Sequence, residues 1–276
     1  MKINKFNFCS FSICPKIPAL FFTILFFALT FFITEYSLRK ILFASENNSD
    51  NKKPVRVLKL DNTPATDIQI LEIVSSNPEL VELTLGGTKI TDAGLDHLVQ
   101  LKKLRKIRLS KTSITDAAGA KIAKISTLQD IDLSQTKFGN AGLLELKTLP
   151  KLKHLNLYLT NVTDTGISKI KDFNSAKILT RLNLDLCQVS DIGVKSLLEL
   201  ENLEWIHLGG TDITDTTMEY LAKFKKLKEI IVTKTSVTKT SAENLRKKMP
   251  DCKIHDNISN NITEEQIKQI KEIRKK

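Results

Sequence analysis

The residues best suited to recognising a ligand recur at regular distances in the second half of the chain. Trp205, the only tryptophan, lies 24 residues after Arg181, and Arg181 follows His154 by 27 residues. Tyr158 and His207 lie within four residues of members of this series. Tryptophan, tyrosine and arginine contribute much of the energy of protein interfaces, because each combines a large surface with a polar or charged end. This combination favours binding of a ligand over a chemical reaction on it.

No motif for catalysis or cofactor binding accompanies these residues. The sequence has no glycine-rich phosphate loop, no HExxH, no CxxC and no GxSxG. A column of aspartates stands where short helices are expected to begin, and capping of the first helical turn explains it. The column comprises Asp92, Asp116, Asp164, Asp191 and Asp215. We therefore predict a protein that is not an enzyme and that requires no cofactor and no metal ion.

The candidate residues belong to a repeated segment that organises residues 55–250. Its clearest copy, LVELTLGGTKIT, begins at Leu80, and a weaker copy, VRVLKLDNTPAT, begins at Val55. Further copies follow at spacings of 24 to 27 residues and begin at Leu104, Leu128, Leu152, Leu179, Leu203 and Leu227. Eight copies at nearly one period indicate a repeat architecture, because a single copy is too short to bury its own apolar side chains.

Each copy combines two patterns of apolar residues. Leu83 and Leu85 alternate with variable residues, as in a short strand. Leu95, Leu98 and Leu101 recur at every third position, as on the buried side of a short helix. A threonine stands eight positions after nearly every start, where its hydroxyl can satisfy backbone groups of the turn. Stacking of such units predicts a curved α/β solenoid with a parallel sheet on its concave side and helices on its convex side.

The strand pattern LxxLxL followed by TxITDxGLxxL, complete at residues 80–98, resembles that of leucine-rich repeat proteins. The resemblance is to the bacterial form of the repeat and covers residues 55–250. It implies an α/β leucine-rich repeat solenoid of the ribonuclease-inhibitor-like kind. It also implies a non-catalytic module that mediates protein–protein interaction, with a protein or peptide as its partner. The fold alone does not identify that partner, because one fold hosts many functions.

The binding surface of such a solenoid is expected on the concave side, at the positions two, four and six residues after each start. Three consecutive repeats place an aromatic and basic cluster on this surface. The candidate ligand-binding residues are His154, Asn156, Tyr158, Arg181, Asn183, Asp185, Trp205 and His207. In a structural alternative these side chains only satisfy one another, as Arg181 could with Asp185. Arg108 and Asp132 form a similar pair of opposite charges.

The first 54 residues have the features of a targeting segment. Residues 1–16 contain three lysines and no acid, and residues 17–34 contain no charge over 18 positions, enough for a helix of about 27 Å. We expect a cytoplasmic basic segment followed by a signal anchor or, alternatively, a cleaved signal peptide. Residues 35–54 are expected to be a linker. The repeats would then be anchored to the membrane and face the periplasm or the extracellular side, or be secreted after cleavage.

Residues 251–276 are predicted to form a C-terminal cap and a basic helix. Within them, residues 253–255 are suited to a last edge strand, and residues 263–276 have the charge distribution of a helix, with acids first and cations last. The chain carries 42 basic and 31 acidic residues, a net charge of +11. Residues 223–253 alone carry ten lysines and arginines against three acids. This stretch is called the basic patch below.

Two alternative functions follow from these features. The basic patch could bind an anionic polysaccharide or lipid of the cell envelope. Similar repeats also occur in adaptor subunits of ubiquitin-ligase-like complexes, although here an apolar run takes the place of the F-box segment. Nucleic acid is not an expected partner, because the chain lacks the aromatic stacking surfaces of single-strand binders.

Overall fold

The computed structural model describes residues 55–257 together with Thr263, Glu265 and Gln269. The predicted basic segment 1–16, the apolar run 17–34 and the linker 35–54 lie outside the described residues. Within the described part, no helix has both the length and the apolar character that crossing a bilayer requires. Of the predicted C-terminal helix, Glu265 and Gln269 are described, and both are helical.

One parallel sheet of nine strands runs through the described part, and each strand pairs with the next one along the chain. Eight strands come from the eight predicted repeats, and the ninth follows them at the edge. The strands are β1 (Val57–Lys59), β2 (Glu82–Thr84), β3 (Lys106–Arg108), β4 (Asp130–Asp132), β5 (His154–Asn156), β6 (Arg181–Asn183), β7 (Trp205–His207), β8 (Glu229–Ile231) and β9 (Lys253–His255).

The register places equivalent residues of successive repeats beside one another. Leu83 pairs with Ile107, Ile107 pairs with Ile131, and Ile131 pairs with Leu155. These four side chains are buried. The stacking of repeats into an α/β solenoid, which the period of the sequence predicts, is therefore confirmed for the described residues.

Short helices connect the strands and cover one face of the sheet. The α-helices are α1 (Asp67–Ser76), α2 (Ala117–Ala123), α3 (Asn140–Glu145), α4 (Asp164–Ile167), α5 (Asp191–Ser196), α6 (Asp215–Leu221) and α7 (Lys239–Lys248). Further segments are 3₁₀ helices, at Asp92–Gln100, Leu146–Thr148, Ile170–Asp172, Ala176–Ile178 and Leu197–Glu199. A 3₁₀ helix rises about 2.0 Å per residue, so it covers the distance from one strand back to the start of the next with fewer residues than an α-helix.

The core lies between the sheet and these helices. In one repeat, Leu83, Leu85, Ile90, Leu95 and Leu98 are all fully buried, and equivalent apolar residues of the other repeats are buried as well. Full burial of one such side chain stabilises a protein by about 1.5–3 kcal/mol. Because each repeat packs on its neighbours, this contribution depends on the repeats before and after it.

The turn after each strand is closed by the threonine column, as expected. The hydroxyl of Thr88 donates to the carbonyl oxygen of Leu85 at 2.6 Å. The same bond recurs in the other repeats, from Thr63, Thr112, Thr136, Thr160, Thr211 and Thr235. The residue just before each of these threonines, and before Cys187 at the same position of its repeat, has a left-handed backbone, with φ between 52° and 68°. These residues are Asn62, Gly87, Lys111, Gln135, Leu159, Leu186, Gly210 and Lys234.

The aspartate column joins successive repeats, so the prediction that it caps its own helices is wrong. Asp191 accepts hydrogen bonds from the Thr214 backbone N–H at 2.9 Å and from the Thr214 and Thr217 hydroxyls at 2.7 and 2.5 Å. Thr214 itself caps the helix, because its hydroxyl accepts from Thr216 N. Equivalent bonds to the next repeat are made by Asp67, Asp92, Asp116, Asn140, Asp164 and Asp215.

Candidate functional site

Three neighbouring strands present alternate side chains on the open face of the sheet, which is the face predicted to be concave. The middle residues of β5, β6 and β7 are buried, so the residues on either side of them point to the opposite face. The register aligns these outer residues in two rows across the strands. One row is His154, Arg181 and Trp205, and the other is Asn156, Asn183 and His207.

A shallow depression of about 160 Å³ lies on this face. Five of the eight predicted site residues line it, namely His154, Asn156, Arg181, Asn183 and Trp205, together with Asp130 and Leu155. The other three predicted residues, Tyr158, Asp185 and His207, lie beside the depression and do not line it. We call the depression and its lining residues the β5–β7 depression.

Trp205 is held in place by side chains of the neighbouring strands. Its indole N–H donates to Glu229 Oε2 at 2.8 Å, and its ring centroid lies 3.4 Å from that of His207 at an interplanar angle of 36°. His207 Nδ1 in turn lies 3.3 Å from Asp185 Oδ2, and the His207 side chain is only 12% exposed. His207 therefore packs against Trp205, and its role as a ligand-binding residue stays a prediction.

Glu229 on β8 links Trp205 to a residue of β9, and neither Glu229 nor that residue was among the predicted site residues. Its Oε1 lies 3.2 Å from Nε2 of His255 on β9. Burial alone would raise the pKa of the Glu229 carboxyl, but the hydrogen bonds from Trp205 and His255 outweigh it and lower the pKa. Glu229 lies two residues after the repeat start at Leu227, and His255 is in register with the position four residues after that start. The predicted site residues occupy the same positions in their repeats, so the period could have identified Glu229 and His255.

Most charged residues on the open face are already paired, and Arg181 differs from them. Arg108 Nε lies 3.3 Å from Asp132 Oδ2, as the structural alternative proposed. The proposed pair of Arg181 with Asp185 does not form, because Asp185 instead accepts from Gly209 N at 2.5 Å and contacts His207. Within the described residues, the exposed Arg181 guanidinium has no hydrogen-bond or ion-pair partner.

Part of the basic patch is neutralised by ion pairs with nearby acids. Three of the ten cations of the patch form ion pairs, Lys228 with Glu204, Lys239 with Glu243 and Arg246 with Asp256. Several of its other lysines are exposed on α7 and in the loop before β8.

Among residues 55–257, no cluster of three or more His, Cys, Asp or Glu side chains is arranged to hold a metal ion.

A family model described as "Leucine Rich repeat" matches residues 148–171 and 177–198. Comparison with curated proteins finds no matching relative. Among solved structures, a leucine-rich repeat protein of Leptospira interrogans is similar with a TM-score of 0.48 and 18% identity, over 72% of this chain and 60% of that one. A TDR receptor is similar with a TM-score of 0.44 and 14% identity, over 73% of this chain and 42% of that one.

This chain therefore spans 60% or less of the length of these two structures. The two matched segments contain β5 and β6, which carry most of the β5–β7 depression. The same repeat, with the same strand register and the same buried threonine in the turn, continues on both sides of them. Together the repeated sequence, the nine-stranded parallel sheet and the matched segments show that residues 55–257 have a leucine-rich repeat fold.

Proposed function

We propose that the protein is a non-catalytic module that binds a protein or peptide along the open face of its sheet. Leucine-rich repeat domains typically serve protein–protein interaction, and their sheet offers a preorganised surface for it. The single observation that carries the proposal is the unpaired guanidinium of Arg181 beside the supported ring of Trp205 in one depression. Arginine and tryptophan are the residue types most often found where truncation abolishes binding.

The placement of Trp205 makes it a good contact for a partner. The hydrogen bond to Glu229 and the packing on His207 fix the ring before a ligand arrives. A side chain that is already ordered loses little conformational freedom on binding, which favours affinity. The neighbouring residues of β5 and β6 add polar groups around this ring.

Partner capture from cells that express the full chain tests this proposal. The double variant Arg181→Ala and Trp205→Ala should lose the partner, because both residues line the depression and neither contributes to the core. The matched control is Arg108→Ala, which removes a cation from the same face three strands away from Arg181 and four from Trp205. Equal capture by the double variant and the wild-type chain would reject the assigned surface.

We further propose that residues 17–34 tether the repeats to a membrane, so that they face the outside of the cell. The support is the uncharged run of 18 residues preceded by lysines. Fractionation of cells followed by mass measurement of the chain tests this. An intact chain that stays with the membrane in carbonate supports an anchor, and a shortened soluble chain supports a cleaved signal peptide. A full-length chain in the cytosol contradicts both.

The basic patch supports a second candidate, binding of an anionic envelope polysaccharide or lipid. Most of its lysines lie exposed, on α7 and in the loop before β8. Attraction between exposed charges is screened by salt. Envelope binding that disappears as salt is raised, and that survives the Arg181 and Trp205 double variant, would favour this candidate over the open face.

A further inference from the structure

We propose that the β5–β7 depression binds a carboxylate group of the peptide ligand, an inference that rests on the peptide-binding function proposed above. Arg181, Asn156 and Asn183 line the depression with hydrogen-bond donors that have no partner among the described residues, and Arg181 carries a positive charge. The carboxylate comes from an aspartate or glutamate side chain or from a C-terminus. Both sources have the same chemistry.

Arg181 supplies the positive charge. A guanidinium offers five N–H donors in a planar fork, and this fork matches the two oxygens of a carboxylate. Arg181 is exposed, and no described carboxylate lies within ion-pair distance of it. Arg108 on the same face is paired with Asp132. The depression is therefore lined by a guanidinium that has no partner among the described residues and is available to a ligand.

Two asparagine side chains of the neighbouring row add neutral donors next to this charge. Asn156 Oδ1 accepts from Tyr158 N at 3.1 Å, and Asn183 Oδ1 accepts from Asp185 N at 2.9 Å. Because a backbone N–H donates to an oxygen, these bonds establish that Oδ1 of each side-chain amide, and not its nitrogen, faces the backbone. The NH₂ groups remain as donors, and neither bonds to another described residue. Donor groups of this kind bind oxygen anions and not metal cations.

The acidic groups nearby contact other residues, and none of them forms an ion pair with the Arg181 guanidinium. Asp130 Oδ2 lies 3.2 Å from His154 Nδ1, and Asp185 is held by His207 and by Gly209 N. Glu229 accepts the indole N–H of Trp205. Trp205 also lines the depression, and its ring is an apolar group suited to the methylene groups that carry a carboxylate.

The size of the depression fits one side chain. Pockets for drug-sized molecules commonly have volumes of about 300–1,000 Å³, whereas this depression has about 160 Å³. A single acidic side chain or chain terminus fills such a space, and the rest of the peptide would extend over the neighbouring strands. The expected ligand is thus a peptide with one anchoring carboxylate.

The test uses the full chain and three synthetic libraries of acetylated random octapeptides without other acidic residues. The first carries one glutamate and an amidated C-terminus, the second has glutamine in place of that glutamate, and the third has glutamine with a free C-terminus. Retention on the immobilised protein is measured first, and retained peptides are then titrated. Because Trp205 is the only tryptophan, its fluorescence reports directly on the depression.

The expected result is at least tenfold greater retention of the glutamate library, the free-terminus library or both than of the glutamine amide library. Which of the two is retained identifies the source of the carboxylate. Arg181→Gln should weaken binding of retained peptides by about 10- to 100-fold, the effect of losing charge-assisted hydrogen bonds. Arg181→Lys should have an intermediate effect, because it keeps the charge and loses the fork. Arg108→Gln, the matched control, should leave binding unchanged.

A second variant, Asn183→Asp, tests the same inference without removing the arginine. Asp132 occupies the same row and accepts from Ser134 N at 3.0 Å, so an aspartate is compatible with this backbone. The variant should keep the fold, as circular dichroism can verify, and should repel a carboxylate. Binding that is unchanged in both Arg181→Gln and Asn183→Asp would overturn the inference.

The outcomes also separate the inference from the proposed function. Loss of peptide binding in Trp205→Ala, with full binding in Arg181→Gln, would leave a peptide-binding face that does not recognise a carboxylate. Equal retention of the three libraries that Trp205→Ala abolishes would likewise show a peptide-binding face that does not recognise a carboxylate. Retention of none of the libraries, or retention that Trp205→Ala does not affect, would reject both the inference and the assigned face.

Discussion

At the scale of single residues, Asp191 shows how adjacent repeats are joined. Its carboxylate, in the repeat that begins at Leu179, accepts three hydrogen bonds from Thr214 and Thr217 of the following repeat. Asn140 has the equivalent role toward Thr163, where its oxygen accepts from the backbone N–H and its amide donates to the hydroxyl. An amide can therefore replace the carboxylate in this position.

Asp191→Ala should destabilise the fold by about 1–3 kcal/mol, because it leaves the hydroxyl of the buried Thr217 of the next repeat without its acceptor. Asp191→Asn should have a smaller effect, as Asn140 already makes equivalent bonds. Urea denaturation of the wild-type chain and the two variants measures both differences. Equal stability of Asp191→Ala and the wild type would show that these bonds add nothing to the joining of repeats.

The same carboxylate predicts a dependence of stability on pH. Burial alone would raise the pKa of Asp191, but the hydrogen bonds from Thr214 and Thr217 outweigh it and lower the pKa. A carboxyl whose folded pKa is below its unfolded value, about 3.9, stabilises the fold fully above that value. The contribution is lost as pH falls through the folded pKa. Between pH 6 and pH 2, the stability advantage of the wild type over Asp191→Asn should therefore shrink, and a constant advantage would contradict this.

The left-handed residue of each turn gives another prediction for a single position. Gly87 has φ of +68°, and a Cβ atom there would lie 2.5 Å from Asn62 Oδ1. Gly87→Ala should therefore destabilise the fold by about 1–2 kcal/mol. Lys111 has the same conformation in the next repeat without being glycine, so Lys111→Ala is the control and should change stability by less than about 0.5 kcal/mol. Thermal unfolding of both variants provides the comparison.

At the scale of strands and helices, much of the structure could be predicted from the sequence. The alternation at Leu83 and Leu85 predicts each strand, and the period predicts the register that places Leu83 beside Ile107. The choice between α and 3₁₀ helices could not be predicted, because it depends on the path length between strands. The role of the aspartates was also missed, since the partners of Asp191 lie 23 and 26 residues further along the chain.

The same distinction applies to the candidate site. The period correctly predicts which residues share the open face, because strand geometry alone decides which side each residue takes. It does not predict the pairing of side chains within that face. Asp185 lies two residues after β6, the strand of Arg181, yet it bonds to His207 on β7 and to Gly209 just after β7. This leaves Arg181 without a partner among the described residues.

A core residue in the middle of the sheet should matter more than one on the surface of a helix. Ile131 on β4 is fully buried, so Ile131→Ala should destabilise the fold by about 2–5 kcal/mol. Ile192 on α5 is 74% exposed, and Ile192→Ala should change stability by less than about 0.5 kcal/mol. Urea denaturation of both variants tests this difference, and comparable losses would contradict the assigned core.

At the scale of the whole molecule, the described repeats form one continuous sheet, and each repeat is stabilised by its neighbours. Such a scaffold holds side chains of several strands in fixed relative positions without a dedicated pocket. The β5–β7 depression follows from this construction, since its lining residues come from four adjacent strands. The opposite side, formed by the helices, presents exposed residues such as Ile192.

Photo-crosslinking in cells that express the full chain can show whether the partner binds the open face around β5–β7. A photoreactive phenylalanine analogue is placed either at Tyr158, beside the depression, or at Ile192, on α5. A crosslinked partner is expected from position 158 and none from position 192, with loss of the product when Arg181→Gln is added. A partner crosslinked equally from both positions, or only from position 192, would contradict binding at this face.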